Sequence, residues 1–337
     1  MGGYVKASAL SPIQGCVERY GGRIDRVLRS ADLPLQILDR PDLALPLKDH
    51  YAVLQAAAKE TGLAHFGAEM GALAKITMLG KYGSDSTAAP TLGAAVNRLN
   101  ATLNQMMQTD TDLVLFRLHD GVKWSMVFHT RGDTGRWQNE LLAIGYQLDL
   151  LRHFLGRTWR PRCIHLRTAS SAEAADIAQI FGSPVRKNSF VPGIEFDGHL
   201  LATGNTTAHH GTDTTAQQDR MPDRSNMLSA VRAAIRIELL HGRPVIDRVS
   251  ARLQVSRRSL QRQLSAEGTT YGQILADALY HEARSLLADE CSIGEIADRL
   301  GYADHAHFTR AYRRWTGFAP REHRALAALY DVRHQLS

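Results

Sequence analysis

Two six-residue stretches near the C-terminus repeat one pattern of apolar, polar and arginine positions. Residues 259–264 read SLQRQL and residues 307–312 read HFTRAY. In each copy the two large apolar residues are four positions apart, so they share one face of a helix, while the arginine between them points the other way. The pattern predicts two short amphipathic helices, each packed on a core through one face and exposing an arginine on the other.

Each predicted helix has its own start signal and an apolar helix in front of it. Ser256 and Asp304 are suitable N-caps for the two repeated helices, and Ser292 with Glu295 forms a capping box for the helix before the second copy. The bracing residues are Val249 and Leu253 in the first copy and Ile296, Ala297 and Leu300 in the second. A short helix that braces a second one is the helix-turn-helix arrangement, and the chain carries it twice. A helix over residues 270–288 links the two units.

Strand signals are confined to the first 200 residues. Residues 112–118 and 122–130 are β-rich runs joined by His119-Asp120-Gly121, a strong hairpin signal. Helices are predicted over residues 12–30, 47–59, 87–108, 137–155, 172–181 and 227–240, a strand over 163–167 and an extended segment over 184–196. Residues 201–226 contain almost no large apolar side chain. The predicted fold class is α+β in two domains. A mixed α/β sensor domain at 1–205 and a linker at 206–226 precede an all-α domain at 227–330 with two helix-turn-helix units.

Composition agrees with two domains and places positive charge in the second. A chain of 337 residues with 44% hydrophobic content can bury two cores. Residues 226–337 contain 16 arginines against 12 acidic residues, a net charge of +4 out of +6 for the whole chain. Three cysteines, an odd number, argue against a disulfide framework and favour a reducing compartment. With no long apolar run for a membrane span, a cytoplasmic location is expected.

The outward positions of the repeated helices have the chemistry of DNA recognition. Arginine can donate two hydrogen bonds to guanine, and glutamine can pair bidentately with adenine. The predicted base-reading residues are Arg258, Gln261, Arg262, His305, Thr309 and Arg310. The predicted phosphate contacts are Arg257, Arg313 and Arg314. Either helix alone is equally well explained as a solvated surface, but recurrence in two separately capped units favours DNA.

Residues 227–328 resemble the DNA-binding domain of AraC/XylS transcriptional regulators. The matching positions are Ser256, Leu260 and Arg262; Ala283, Leu286 and Leu287; Ile293, Ile296, Ala297, Gly301 and Tyr302; Phe308 and Tyr312; Gly317 and Pro320. The chain departs from the family pattern at Ser250, Gln254 and Ala306, where a bracing alanine, a turn glycine and a serine or asparagine are usual. The resemblance implies double-stranded promoter DNA as a partner, with RNA polymerase as a second one.

The first domain resembles the arabinose-binding type N-terminal domain, as in the ornithine-utilisation regulator group. The resemblance covers much of residues 15–205 and rests on PTLGAA at 90–95 and on FGSPV at 181–185 before IEF at 194–196. It implies a small-molecule effector pocket and a homodimer, without identifying the effector. Trp124, Phe128, Trp137 and Tyr146 are candidates either for pocket lining or for ordinary core packing.

The leading hypothesis is a sequence-specific DNA-binding transcription activator controlled by a small-molecule effector. One alternative is an enzyme targeted to DNA by its C-terminal domain, but the chain contains no recognisable catalytic motif. Another is an architectural DNA binder without a ligand. Cys163 and His165 share a strand face but supply only two metal ligands. No catalytic residue, metal or cofactor is therefore predicted.

Overall fold

The computed structural model describes residues 2–129, 135–167, 170–205, 220–223, 225–289 and 291–324. The chain divides into two compact units, one comprising Gly2–Met221 and the other beginning at Pro222. The first is mixed α/β and the second is helical, which confirms the predicted fold class. Most of the predicted linker lies outside the described residues.

The N-terminal unit combines eight described helices with two sheets. The helices are α1 (Ile13–Arg19), α2 (Ile24–Ser30), α3 (Leu47–Thr61), α4 (Phe66–Leu73), α5 (Lys81–Thr87), α6 (Leu92–Met106), α7 (Arg136–Leu155) and α8 (Ser171–Phe181). The strands are β1 (Tyr4–Lys6), β2 (Ala44–Pro46), β3 (Thr111–Leu118), β4 (Gly121–Phe128), β5 (Cys163–His165), β6 (Val185–Arg186) and β7 (Gly193–Phe196). Short 3-10 segments lie at Ala7–Leu10, Leu35–Asp39, Ile76–Leu79 and Gly198–Ala202.

The larger sheet has five strands in the order β3-β4-β7-β5-β6. Among its described strands only β5 and β6 run parallel, and β7 lies between β4 and β5. Leu118 pairs with Gly121, which confirms the predicted hairpin. The long helix α7 is buried along almost its whole length. It crosses α4 so closely that a Cβ on Gly145 would lie 2.3 Å from the Cα of Gly71.

Three predicted segments of this unit differ in detail. Residues 12–30 form two helices because the chain turns at Gly21, whose φ is 74°. Within 87–108 the helix begins only at Leu92, where the Oγ1 of Thr91 accepts from the backbone N–H of Ala94 at 3.2 Å. The extended segment 184–196 is divided into β6 and β7. The β1–β2 pair, α4 and α5 had no recognised sequence signal.

The C-terminal unit is a set of helices around one core. They include α9 (Met227–Glu238), α10 (Ile246–Arg252), α11 (Arg257–Ala266), α12 (Tyr271–Ala288), α13 (Ile293–Arg299) and α14 (His305–Thr316), with a 3-10 turn at Leu239–His241, and residues 320–324 are helical as well. A single cluster of buried apolar side chains takes members from each of the helices α9 to α14. The linking helix α12 contributes Ile274, Leu279, Ala283 and Leu287 to this core, so both helix-turn-helix units pack on the same structure.

Candidate nucleic-acid interface

The first helix-turn-helix turn is built by backbone hydrogen bonds around Gln254. Its N–H donates to the carbonyl of Ala251, and the N–H of Val255 donates to that of Ser250, both at 3.0 Å. This is the Schellman pattern, which needs a left-handed residue after the helix; Gln254 has a φ of 58°. Ser256 then caps α11, its Oγ accepting from the N–H of Ser259 at 3.1 Å.

The second turn repeats that pattern with one more residue before the cap. The N–H of Gly301 donates to the carbonyl of Asp298 at 3.0 Å, and that of Tyr302 donates to Ala297 at 2.8 Å. Gly301 has a φ of 69°. The carboxylate of Asp304 accepts from the N–H of His307 at 2.7 Å, a bond that lowers the pKa of Asp304 and keeps it charged at the helix start. The sequence repeat therefore corresponds to a structural repeat.

The two faces of α11 and α14 divide as the periodicity predicts. The anchors Leu260, Leu264, Phe308 and Tyr312 are fully buried. Of the nine predicted DNA-contacting residues, eight are exposed: Arg257, Arg258, Gln261, Arg262, His305, Arg310, Arg313 and Arg314. The ninth, Thr309, is half-buried and its hydroxyl donates to the carbonyl of His305 at 2.7 Å. The oxygen of the Thr309 hydroxyl therefore retains its capacity to accept a hydrogen bond.

Several of these arginines form no ion pair within the described part of the protein, although the charge of Arg310 helps to lower the pKa of the Asp304 carboxyl. Within the described residues, the side chains of Arg258, Arg262 and Arg310 form no hydrogen bond and no ion pair. Arg257 differs, because its Nη1 lies 3.4 Å from an Oδ2 of Asp247. Both partners of that pair are more than half exposed, so the attraction is weak in water. The exposed surface of the two helices is thus cationic and available to an anion.

A further arginine, Arg243, lies beside α14 and was not predicted from the sequence. It comes from the loop between α9 and α10, and its guanidinium lies 4.7 Å from the ring centroid of Tyr302. An open concave surface is lined by Arg243, Gly301, Tyr302, Ala303, His307, Thr309, Arg310, Arg313 and Arg314. Gly301 permits this approach, because a Cβ there would lie 2.4 Å from the backbone nitrogen of Arg243. The Gly-Arg-Pro sequence at 242–244 predicts a loop, but no local pattern shows that this loop packs beside Tyr302.

A buried ion cluster fixes α10 against α9. Glu238, only 2% exposed, accepts from the Nε of Arg252 at 2.8 Å and from the Nε of Arg248 at 2.5 Å. The Arg252 side chain is itself 4% exposed. Buried charges of this kind need their partners in place, so the cluster orients the bracing helix of the first unit. No local sequence pattern indicated this cluster.

The N-terminal unit contains a small, partly open apolar cavity of about 50 Å³. It is lined by residues of the 3-10 turn Ile76–Leu79, α5, α6, β3, β4 and α7. Trp124 and Tyr146 are among the lining residues, whereas Phe128 and Trp137 are not. Phe128 instead packs under the guanidinium of Arg136, 4.7 Å from the ring centroid. Two of the four aromatic candidates therefore line an interior space.

His50 makes the stability of this unit sensitive to acid. Burial lowers the pKa of His50 to about 4, against the opposing effect of its hydrogen bond to Asn139. In the unfolded chain the imidazole of His50 binds a proton near pH 6.5, whereas in the folded chain it stays neutral to a lower pH. The free energy of unfolding therefore decreases as the pH falls below 6.5.

We expect the free energy of unfolding to fall by about 2–3 kcal/mol between pH 7 and 4.5 because of His50 alone. Urea unfolding followed by tryptophan fluorescence at both pH values tests this. The His50→Gln variant should have a correspondingly smaller pH dependence, and an equal loss in both proteins would contradict the assignment.

Both ring nitrogens of His165 lie within hydrogen-bond distance of other side chains in the N-terminal unit. The Nε2 of His165 lies 2.8 Å from an oxygen of Glu195, and its Nδ1 lies 3.0 Å from the Oγ of Ser189. Burial lowers the pKa of His165. In the part of the chain that the structure describes, no three His, Cys, Asp or Glu side chains are placed to hold one metal ion. Over the same residues, no helix has the length and apolar character needed to cross a membrane.

Comparison with known proteins agrees with the two-domain architecture. The family "Arabinose-binding domain of AraC transcription regulator, N-term" matches residues 21–205, more than half of the chain. A "Helix-turn-helix domain" family matches residues 249–325. The chain is 24% identical over 333 residues to the HTH-type transcriptional regulator VirS of Mycobacterium tuberculosis, covering 96% of this chain and 97% of VirS.

Two proteins of Pseudomonas aeruginosa are also similar. The Ornithine utilization regulator is 40% identical over 82 residues, which is 24% of each chain. The crystal structure of the transcriptional regulator CdpR aligns with 77% of this chain and 86% of its own, at 21% identity and a TM-score of 0.36. The family match, the paired helix-turn-helix units and the full-length relative lead to one conclusion. This chain belongs to the AraC family of transcription regulators.

Proposed function

We propose that the protein activates transcription by binding promoter DNA through α11 and α14 under the control of a small molecule bound by the N-terminal unit. The main support is the pair of exposed arginine-bearing helix faces, each positioned by the same turn geometry on one core. A shared core holds the two recognition helices at one separation. We expect this separation to match that of successive major-groove segments, about 34 Å.

The residue roles follow from position and exposure. We assign base contacts to Arg258, Gln261, Arg262, His305, Thr309 and Arg310, and phosphate contacts to Arg257, Arg313 and Arg314. We add Arg243 to the residues assigned to phosphate contacts, since it lines the same concave surface as Arg310, Arg313 and Arg314. The paired Asp247 reduces the charge that Arg257 presents.

Base-contacting and phosphate-contacting arginines should behave differently when removed. Arg262→Ala and Arg310→Ala should each cost about 1–3 kcal/mol of binding free energy and relax preference at different base positions. Arg313→Ala should weaken specific and random DNA alike and reduce the slope of affinity against salt by about one. Gel-shift titrations on the upstream promoter region and on random duplexes measure these effects. Equal losses on both duplexes in all three variants would overturn the base assignments.

Homodimer formation and contact with RNA polymerase complete the proposal. Both are supported by membership of the AraC family, which regulates transcription. Sedimentation of the full chain tests the first, and transcription of a promoter-fused reporter with and without the regulator tests the second. A monomer at micromolar concentration, or reporter output that falls when the regulator is added, would contradict the respective statement. We propose no catalytic role.

A further inference from the structure

The buried helix α7 carries three amide side chains with different environments. Gln138 is satisfied at both ends: its Oε1 accepts from the N–H of Gly67 at 2.7 Å and its Nε2 donates to the carbonyl of Ala64 at 2.8 Å. Asn139 and Gln147 are each 4% exposed, and the amide nitrogens of both are buried without a hydrogen-bond partner. Burial of a donor without an acceptor is unfavourable, so two such groups on one helix call for an explanation.

Both unpartnered amides line the apolar cavity. The aromatic side chains around them already donate their hydrogen bonds to other groups of the protein. The Tyr82 hydroxyl donates to the carbonyl of Leu99 at 3.2 Å, the Tyr146 hydroxyl donates to that of Ala9 at 3.3 Å, and the Trp124 indole donates to Asn100 at 3.0 Å. Among the described lining residues, the buried donors without a partner are therefore Asn139 and Gln147. They lie eight residues apart with Ala143 midway, about 12 Å along one face of α7.

The lining also determines which charge a ligand can carry. Every lining residue that the structure describes is uncharged. An ionised group would lose its hydration there without gaining a counter-charge. We propose that this cavity is the effector site and that it takes a small, uncharged, mainly apolar molecule whose carbonyl or ether oxygen accepts from Asn139 or Gln147. The inference rests on the proposed function, in which a small molecule controls the regulator.

The size of the cavity limits the part of a ligand that it holds. About 50 Å³ exceeds the roughly 10–15 Å³ that one ordered water needs but is well below the ~150 Å³ of an apolar cavity that binds benzene. A small apolar group fits, and larger ones require side chains to move. Met107 and Met126 line the space, and methionine adapts its shape readily.

The wall of the cavity faces the end of the N-terminal unit. Leu79 and Tyr82 line both the cavity and an open pocket that includes Gln105 and Arg220. The N–H of Met221 donates to the carbonyl of Gln105 at 3.0 Å. A ligand that displaces Leu79 or Tyr82 therefore acts on the surface where residues 220–221 pack, directly before the C-terminal unit begins.

Three probes with equal numbers of heavy atoms test the proposed chemistry on the full-length protein. They are pentan-2-one, 2-methyl-1-pentene, in which a methylene group replaces the oxygen, and butyrate. Calorimetric titration at pH 7.5 should give about tenfold tighter binding for the ketone than for the alkene, because only the ketone accepts a hydrogen bond. Butyrate should not bind detectably. Equal affinity for ketone and alkene, or preference for butyrate, would overturn the proposal.

Substitutions on α7 locate the binding. The Asn139→Leu, Gln147→Met double variant should reduce the tenfold ketone preference to near unity, and Ala143→Leu should weaken ketone and alkene together by filling the space. The Gln138→Met variant is the matched control and should retain the preference although it loses two structural hydrogen bonds. Survival of the preference in both the double variant and Ala143→Leu would place binding elsewhere. Failure of every probe with DNA sequence preference intact would overturn the effector site alone, whereas loss of that preference would overturn the proposed function.

Discussion

Replacing Gly301 by alanine should destabilise the C-terminal unit by about 2–5 kcal/mol. A side chain at φ 69° is strained by about 1–2 kcal/mol, and the new Cβ would lie 2.4 Å from the backbone nitrogen of Arg243, adding an overpacking cost of about 1–3 kcal/mol. Because the second turn and the Arg243 loop must both shift, the variant should also bind promoter DNA more weakly. Urea unfolding followed by circular dichroism, with gel-shift titration, measures both effects.

The equivalent position in the first turn provides the control. Gln254 occupies the left-handed conformation at φ 58°, where the AraC/XylS pattern has glycine. The Gln254→Gly variant should therefore be more stable than the natural protein, by up to about 1 kcal/mol. A loss of stability in Gln254→Gly, or none in Gly301→Ala, would show that the two turns do not play the equivalent roles that their hydrogen bonds indicate.

Replacing Glu238 by leucine should destabilise the same unit by about 3–5 kcal/mol. The substitution removes the carboxylate to which the buried Arg252 donates at 2.8 Å. Removing one partner leaves the other charge buried and unpaired, which costs much more stability than the intact pair contributes. Because Arg252 and Arg248 both lie on α10, we expect the first recognition helix to lose its support. Specific DNA affinity should then fall, although Glu238 is far too buried to contact DNA itself. Urea unfolding and gel-shift titration of the variant measure these two effects.

An exposed pair next to it offers the comparison. Asp247→Asn weakens the contact with Arg257, but both partners are largely in solvent, so stability should change by less than about 1 kcal/mol. Its DNA affinity should rise slightly, because a negative charge is removed beside a phosphate-contacting arginine. If Glu238→Leu lowered the free energy of unfolding as little as Asp247→Asn, the buried ion cluster would not be what holds α10 in place.

Features fixed by neighbouring residues could be predicted from the sequence. The caps at Ser256, Ser292 and Asp304 act through hydrogen bonds three residues away, and all three occur in the structure. The inward and outward faces of α11 and α14 follow from helical period alone. For the same reason eight of nine predicted DNA contacts are exposed, although their roles toward DNA stay predictions.

Features fixed by distant residues could not be predicted. The place of β7 between β4 and β5 depends on pairing across 28 to 32 residues with β5 and 68 to 74 residues with β4, and no local pattern encodes it. Glu238 appears in the sequence as one acid on an amphipathic helix, and only packing reveals its two arginines. Likewise Gln138, Asn139 and Gln147 are chemically alike in the sequence. The structure distinguishes Gln138, whose amide binds the backbone of Gly67 and Ala64, from Asn139 and Gln147, which line the apolar cavity.

The common core beneath α9 to α14 has a consequence for the evolution of the target promoters. Neither recognition helix can move relative to the other without disrupting the packed core. The distance and angle between α11 and α14 are therefore fixed. Point substitutions in a promoter change affinity gradually, one contact at a time. A single inserted or deleted base pair between the two half-sites instead rotates one of them around the duplex and removes half of the contacts at once. Spacer length should therefore be constant among its natural targets even where their base sequences diverge.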